Sequence, residues 1–584
     1  MKATGIGGIL LILQVLLAGN LYAWTEGTYN TFGGIHAGMN TTSDQNTFLG
    51  YDAGKSNTTG NWNIFIGGGA AIYNTTGSYN ISIGGQSGFY NTTGDCNVFL
   101  GHQAGASNTT ASWNTFVGHQ AGSLNTTGWR NSFYGYLAGR ANTTGAENSF
   151  VGWQAGTANT TGQYNTFMGS MAGMDNTTGN LNTFVGSHAG SSNTIGLGNT
   201  FIGSSAGTNN TTGNSNNFIG NYAGVHNTTG ELNNFIGYRA GSGNTTGYRN
   251  SFLGSFAGWS NTTGHHNTFV GNHAGSNNTE GSYNTFSGDQ AGSLNTTGQY
   301  NTFTGYKAGV KNTTGFSNHF SGYEAGRNNT SASYNTFSGY QAGWANSTGE
   351  RNTFEGCSAG YSNTIGKYNT FTGYAAGWAN TEGNYNAFFG YAAGYKTTTG
   401  SSNVYLGNYA GYESTTGSGN VFIGYGAGRN ETGSDKLYIA NSSTATPLIY
   451  GDFSAKTVHI NGTLTQSSSR DLKSNIQGLT IEDATKALQG LHPVTFTYRA
   501  APGESHVGFI AEEVPELVAT KDRKGLSSLE IVTVVAKVLQ EQQKTMQEQQ
   551  RLIQALQVKN EKLERELNEK NGILEKRLLA LEGK

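Results

Sequence analysis

The side chains best suited to binding or reaction recur in this chain at an interval of seventeen residues. Residues 114–130, NTFVGHQAGSLNTTGWR, serve as one unit with Asn114 at position 1. On that numbering aromatic residues return at position 6 (Tyr51, Tyr136, Trp153, Tyr238, Tyr340) and at position 17 (Tyr164, Tyr283, Tyr300, Tyr334, Tyr368). Exposed rings of this kind can stack on sugars, so a surface glycan is one candidate partner. The same rings can instead cover corners or fill the space between chains, and that structural reading is favoured. The many N-x-T triplets match the acceptor pattern for N-glycosylation, but the period alone generates them. Adjacent threonines of a strand point to opposite faces, so N-T-T leaves one threonine ladder and not the flat array of an ice-binding face. Calcium-binding β-rolls need a recurring Asp, and acids are nearly absent from the repeats. No metal or other cofactor is expected. The only cysteines, Cys96 and Cys357, stand at different repeat positions about fifteen units apart. They cannot pair within one stack, so disulfides do not hold the protein together.

What must position these residues is a stack. From Asn46 an Asn stands at every seventeenth residue to Asn420, and one shorter copy begins at Asn30, giving 24 copies across 30–433. Helical repeats need 33 or more residues and leucine-rich repeats at least about 20. Seventeen fits one coil of a β-solenoid, with a strand of about five residues around Thr115-Phe116-Val117. The fold class expected is mainly β. Phe at position 3 would form an internal aromatic column and Ala at position 8 would sit where the coil turns inward. Gly at positions 5, 9 and 15 would permit positive φ. Asn at positions 1 and 12 would form ladders, each amide bonding its copies above and below. At about 4.8 Å per coil the stack would be on the order of 115 Å long. Each coil offers one large apolar residue and one Ala, which points to association of several chains to bury enough surface. The pattern is similar in style to the coiled heads of trimeric autotransporter adhesins, though their repeat is shorter.

Composition divides the chain further. Gly supplies 90 of 584 residues, and the net charge is −2, so no basic field argues for nucleic acid. Of the 66 charged residues, 34 fall in 470–584. The first 23 residues carry Lys2, an apolar run from Ile6 to about Ala18, and Ala23 before Trp24, which reads as a cleavable export signal. The run is short of the ~20 residues that span a bilayer. The expectation is a secreted or cell-surface protein with no stable membrane insertion once the signal is removed. Residues 434–467 read as a β connector. EDATKALQGLHPVTFTYR reads as helix, turn and strand, and SHVGFIAEEVPELVAT as strand and short helix. Within 526–584 apolar residues keep a heptad from Val532 through Leu539, Met546 and Ile553 to Leu581, with Val535, Leu556 and Leu563 at the d positions. A seam sustained over seven heptads is a coiled-coil signal, and Asn560 at an a position sets register.

The segments SSRDLKSNI, V-T-F-T-Y at 494–498 and GFIAEEVPELV at 508–518 resemble the endosialidase-type intramolecular chaperone domain. The resemblance covers about 468–545, with the chaperone proper assigned to 468–525 and its coiled-coil helix to 526–584. It implies a homotrimer in which this domain holds three chains while their β-stalk folds, then cuts itself free. It further implies that Ser468 is the nucleophile and Lys473 the general base of a self-cleaving serine endopeptidase acting only on its own chain. Ser469 stands where that family often has Asp, and Leu526-Ser527-Ser528-Leu529 where a V-D-Y-like strand often precedes the last helix. Residues five apart do not share a helix face, so Ser468 and Lys473 must meet across a turn or between chains. Without the resemblance the same residues read as a polar linker ahead of a structural lysine. The function expected is therefore an exported trimeric fibre with its own C-terminal folding clamp. The alternative is a glycan-binding adhesin or tailspike-like protein whose clamp stays uncut.

Overall fold

The computed structural model describes residues 29–499 and 501–583. The expected export signal, residues 1–23, lies outside them. The chain divides into two compact units, one running to Gly451 and the other beginning at Asp452.

The first unit is a β-solenoid whose 24 strands, β1 (Thr31–Gly33) to β24 (Val421–Ile423), are each three residues long. They are shorter than the five residues expected because Gly at position 5 turns the chain directly after position 4. Each strand pairs in parallel with its equivalent one coil on, as in Thr115↔Ser132, Phe116↔Phe133 and Val117↔Tyr134. A four-residue strand, β25 (Lys436–Ile439), adds one more rung through Val421↔Leu437. Alternation along a strand sends position 3 inward and positions 2 and 4 outward. Phe116 through Phe388 are accordingly buried without exception, each above the Ala of its coil. In the middle of the stack successive rings lie 4.8 Å apart and within 7° of parallel.

One chain closes this interior without help, contrary to the thin core expected, because the two Asn columns fill the rest of it. Asn114, Asn125, Asn131 and Asn142 are all 0% exposed. At position 12 the amides form the ladder expected: Asn142 Nδ2 donates to Asn125 Oδ1 at 2.7 Å, and to the Gly145 carbonyl at 2.9 Å. At position 1 the expected amide ladder is present in some coils, as where Asn148 Nδ2 donates to Asn131 Oδ1 at 3.1 Å, and shorter bonds to backbone accompany it. Asn114 Oδ1 accepts from the backbone N–H of Asn131, while Asn131 Nδ2 donates to the Gly145 carbonyl of its own coil. With the exception of Asn380, whose Oδ1 has no partner, these buried amides are thus satisfied by backbone or by their copies, as burial of polar groups requires.

The glycines divide into two kinds. At position 5 Gly118 has φ of 139°, and at position 9 Gly122 has φ of 54°, as expected. Gly128 at position 15 does not take positive φ; a Cβ there would meet the Gly145 carbonyl oxygen and the Asn125 Oδ1, so close approach of coils is what demands glycine. Left-handed backbone falls instead on ordinary residues at positions 7 and 17, such as Gln120 and Arg130, both with φ of 54°. Such backbone costs roughly 1–2 kcal/mol per residue. It is held because their N–H groups donate to the previous coil, Gln120 to His102 at 2.9 Å and Arg130 to Ser112 at 3.2 Å.

Two short strands, β26 (Ile449–Asp452) and β27 (Thr457–Ile460), follow the solenoid. The second unit then has helix α1 (Ile481–Gln489), an antiparallel hairpin of β28 (Val494–Tyr498) and β29 (Ala501–Gly508), and a 55-residue helix, α2 (Ser528–Glu582). Thr480 caps α1 by accepting from the Asp483 N–H at 3.1 Å. Its core is small: Ala484 and Ala487 of α1 meet Val514, Val518, and Val534 and Val538 of α2. The short helix expected in SHVGFIAEEVPELVAT is a single 3-10 turn at Glu516–Val518, since Pro515 removes the donor a longer helix would need.

Candidate functional site

The Ser468–Lys473 segment is built around one turn. Ser469 caps a 3-10 turn at Arg470–Leu472 by accepting from the Asp471 N–H at 3.3 Å, and Lys473 N–H closes it on the Arg470 carbonyl at 3.1 Å. Residues 468 and 473 flank the turn, and Lys473 Nζ donates to Ser468 Oγ at 2.6 Å. The two side chains therefore meet across a turn. Ser469 takes the capping position that Asp also fills well, so Ser in place of Asp keeps the local geometry. That role was not apparent from the sequence, although a Ser two residues before an Asp N–H is its usual signal.

Every residue from Asn461 to Gly478 is exposed in the single chain, Ser468 and Lys473 included. Two apolar neighbours share that exposure: Leu472 is 71% and Ile476 54% exposed. The following loop is better tied. Arg523 Nη2 donates to the carbonyls of Glu512 and Val514, both at 2.7 Å, and Lys524 pairs with Glu512 at 3.1 Å. A backbone hydrogen bond, with Lys524 beside it, holds the Glu512 carboxyl below the usual carboxylate range. Leu526 forms an antiparallel bridge with Ala519, and Ser527 caps α2 by accepting from the Glu530 N–H. The Leu526–Leu529 stretch thus ends in a cap where a strand was the alternative.

Helix α2 presents two faces. Val534 and Val538 pack on α1, whereas the heptad residues Val532, Leu539, Met546, Ile553, Leu556 and Leu563 are all more than half exposed. Among the described residues no partner for that seam is present.

In the repeats, most exposed rings are occupied by one another. Tyr283 and Tyr300 stack at 5.1 Å, Tyr368 and Tyr385 at 5.0 Å, and Tyr306, Tyr323 and Tyr340 form a run at 5.0 and 5.1 Å. A further column at position 10, Trp344–Tyr361–Trp378–Tyr395–Tyr412, escaped the sequence reading although five successive aromatics mark it. Faces spent on neighbouring rings are not open to a sugar. A slot of about 280 Å³ lies between Tyr374 and Tyr391 on one side and Trp378, Tyr395 and Tyr412 on the other. Small residues at position 7, Ser358, Ala375 and Ala392, form its floor and Tyr409 closes one end. The N-x-T asparagines at position 12 are buried, so in the folded coil their amides are spent on structure. Cys96 and Cys357 are free.

Residues 468–521 match the model of the family described as chaperone of endosialidase, beginning at Ser468 itself. This part of the chain is similar to that family's domain, and a β-solenoid precedes it in sequence. No curated protein and no solved structure matches the chain significantly. Among the described residues no helix is long and apolar enough to cross a membrane.

Proposed function

We propose that this protein is an exported fibre whose C-terminal unit is a folding clamp: it gathers three copies, sets their register while the coils form, and then cuts its own chain at Ser468. The family match supports the clamp. The observation that carries the cut is the 2.6 Å contact between Lys473 Nζ and Ser468 Oγ across a capped turn. A lysine in water is protonated and cannot accept the serine proton; burial is what favours the neutral amine. In the single chain both groups are exposed beside Leu472 and Ile476. A neighbouring copy that covers these two apolar side chains would exclude water from Lys473 as well, so assembly would switch the pair on. Ser468 Oγ then adds to an adjacent peptide carbonyl while its proton passes to Lys473 Nζ. The C–N bond breaks as the departing amine takes that proton, and water hydrolyses the ester that remains.

The intact mass of the folded protein tests this. Cutting beside Ser468 separates a fragment of about 117 residues, 468–584. Ser468→Ala and Lys473→Ala should each give a full-length chain that still assembles as a trimer. A fully folded wild-type assembly that remains whole would refute the cut and leave a permanent clamp. A second reading, glycan contact by the repeats, has one observation in its favour: the slot floored by Ala375 and Ala392. Ala392→Gln would fill it with the side chain that Gln103 and Gln120 carry at the same repeat position. Equal retention of wild type and variant on a glycan array would remove this reading.

A further inference from the structure

Position 4 of the coil points outward, yet for fourteen consecutive coils from Leu49 to Val270 it is never polar apart from a Tyr hydroxyl at Tyr134. Leu100, Val151, Ile202 and Leu253 illustrate it, each between 37% and 47% exposed. The next six coils, from Ser287 to Thr372, carry only Ser, Thr or Glu there. Phe389, Leu406 and Ile423 then restore apolar residues. Position 2, on the same outer face, carries no charge in any of the fourteen coils and is mostly Thr, Ser or aliphatic. The turn chemistry is the same in all these coils, so folding of the coil does not dictate this change in position 4.

At about 4.8 Å per coil the stripe runs roughly 60 Å, and three residues of strand make it about 10 Å wide. A flat footprint on the order of 600 Å² matches the largest apolar patch that a soluble monomer typically exposes, about 300–600 Å². Its corrugated surface approaches the ~800 Å² that each partner buries in a stable interface.

We infer that the outer face of the strands in coils 47–270 is the interface with the other copies of this chain, the stripes turned toward a shared axis and in register. This rests on the self-association in the proposed function and adds where along the fibre the copies adhere. The occupant follows from the pattern. Only a partner with an uncharged apolar stripe repeating at the same coil spacing matches this face along its whole length, and every copy carries one. The polar coils from Ser287 to Thr372 mark a stretch where copies are not held together by this face.

Cysteine pairing in the full chain tests the assignment. In a Cys96→Ser, Cys357→Ser background, Val151→Cys places a thiol in the stripe and Ser321→Cys one in the polar stretch. Mild oxidation should link copies through residue 151 at least tenfold more than through residue 321, while native mass reports assembly separately. An assembled protein in which both positions link equally, or residue 321 links better, overturns the stripe but leaves the clamp standing. A monomeric native mass overturns both.

Discussion

Thr397 interrupts the position 12 ladder, and replacing it with Asn should stabilise the coils around it. The column is Asn from Asn57 to Asn380, then Thr397 and Ser414. Asn380 Oδ1 and Thr397 Oγ1 are in consequence buried without a hydrogen-bond partner. Each such group costs about 1–3 kcal/mol. In Thr397→Asn the new amide would donate to Asn380 Oδ1, as Asn380 Nδ2 does to Asn363 Oδ1 at 2.7 Å, and to the Gly400 carbonyl below it. Space is present, since Gly400 occupies position 15 as in the coils that hold Asn. The new Oδ1 would face the Ser414 hydroxyl, which accepts from Tyr405 and still has a proton to donate. Ordering a longer polar side chain returns a fraction of the gain, leaving a net of about 1–2 kcal/mol, or roughly 5–30-fold in local opening. Native-state hydrogen exchange at Thr381 and Thr398, whose N–H groups bond to the next coil, should slow by that factor. Thr296, five coils away, should not change. Unchanged or faster exchange at Thr381 would show that the unpaired oxygens are not limiting there.

Tyr405 replaces Phe in the aromatic column, and its hydroxyl donates to Ser414 at 3.0 Å. Ser414→Asn alone should therefore be destabilising, and Tyr405→Phe should rescue it with a coupling of about 1 kcal/mol or more in a double-mutant cycle read by thermal unfolding. Burial pushes the Tyr405 hydroxyl up from 10.0 to about 12. The unfolded chain loses this proton first, so the contribution is fully present below pH 10 and lost as pH rises towards 12; Tyr405→Phe should flatten the alkaline limb of stability against pH. At the candidate site, Ser469→Ala removes the cap and should slow release of the C-terminal fragment, whereas Ser469→Asp should restore it. Leu472→Ser with Ile476→Ser should leave the chain uncut with Ser468 and Lys473 intact, measured by mass after folding; rapid cutting would mean that neither side chain helps exclude water from Lys473.

Much of this architecture was legible because period constrains it. One coil repeated at 17 residues admits few solutions, and Phe at position 3 with Ala at position 8 reads directly as a core. What escaped the sequence depends on contacts between coils. Gly128 looks like any turn glycine until the carbonyl of Gly145 is seen where its Cβ would stand. Gln120 and Arg130 have no preference for left-handed backbone; stacking imposes it through hydrogen bonds to the coil before. Asn at position 1 was expected to bond its copies through amides, and it does so in some coils, but the bond from the backbone N–H of the next coil was not foreseen. At the candidate site the spacing of Ser468 and Lys473 excluded a shared helix face but left a turn and a contact between chains both open. The cap at Ser469 was not foreseen, because its one signal, a Ser two residues before Asp471, stands within a run of three serines that also reads as a polar linker.

Register is the problem that a clamp would solve, and the proposed stripe sets its size. Sliding one copy by a single coil leaves nearly every position 4 contact equivalent, except at two boundaries. Val270 would then face Ser287, and Thr372 would face Phe389. Full burial of such a side chain is worth about 1.5–3 kcal/mol, and these residues are already half covered within their own sheet, so each mismatch costs roughly 1 kcal/mol. Two mismatches amount to about 2 kcal/mol, a ratio near 30 between correct and slipped fibres. That bias suffices at equilibrium. Correcting a slipped pair, however, means separating fourteen coils of apolar stripe at once, which is far slower than forming it. A device that fixes register must therefore act before the coils zip, from one end and on all copies together. Once they have zipped, the boundaries and the stripe hold what the device arranged, and removing it costs the fibre nothing.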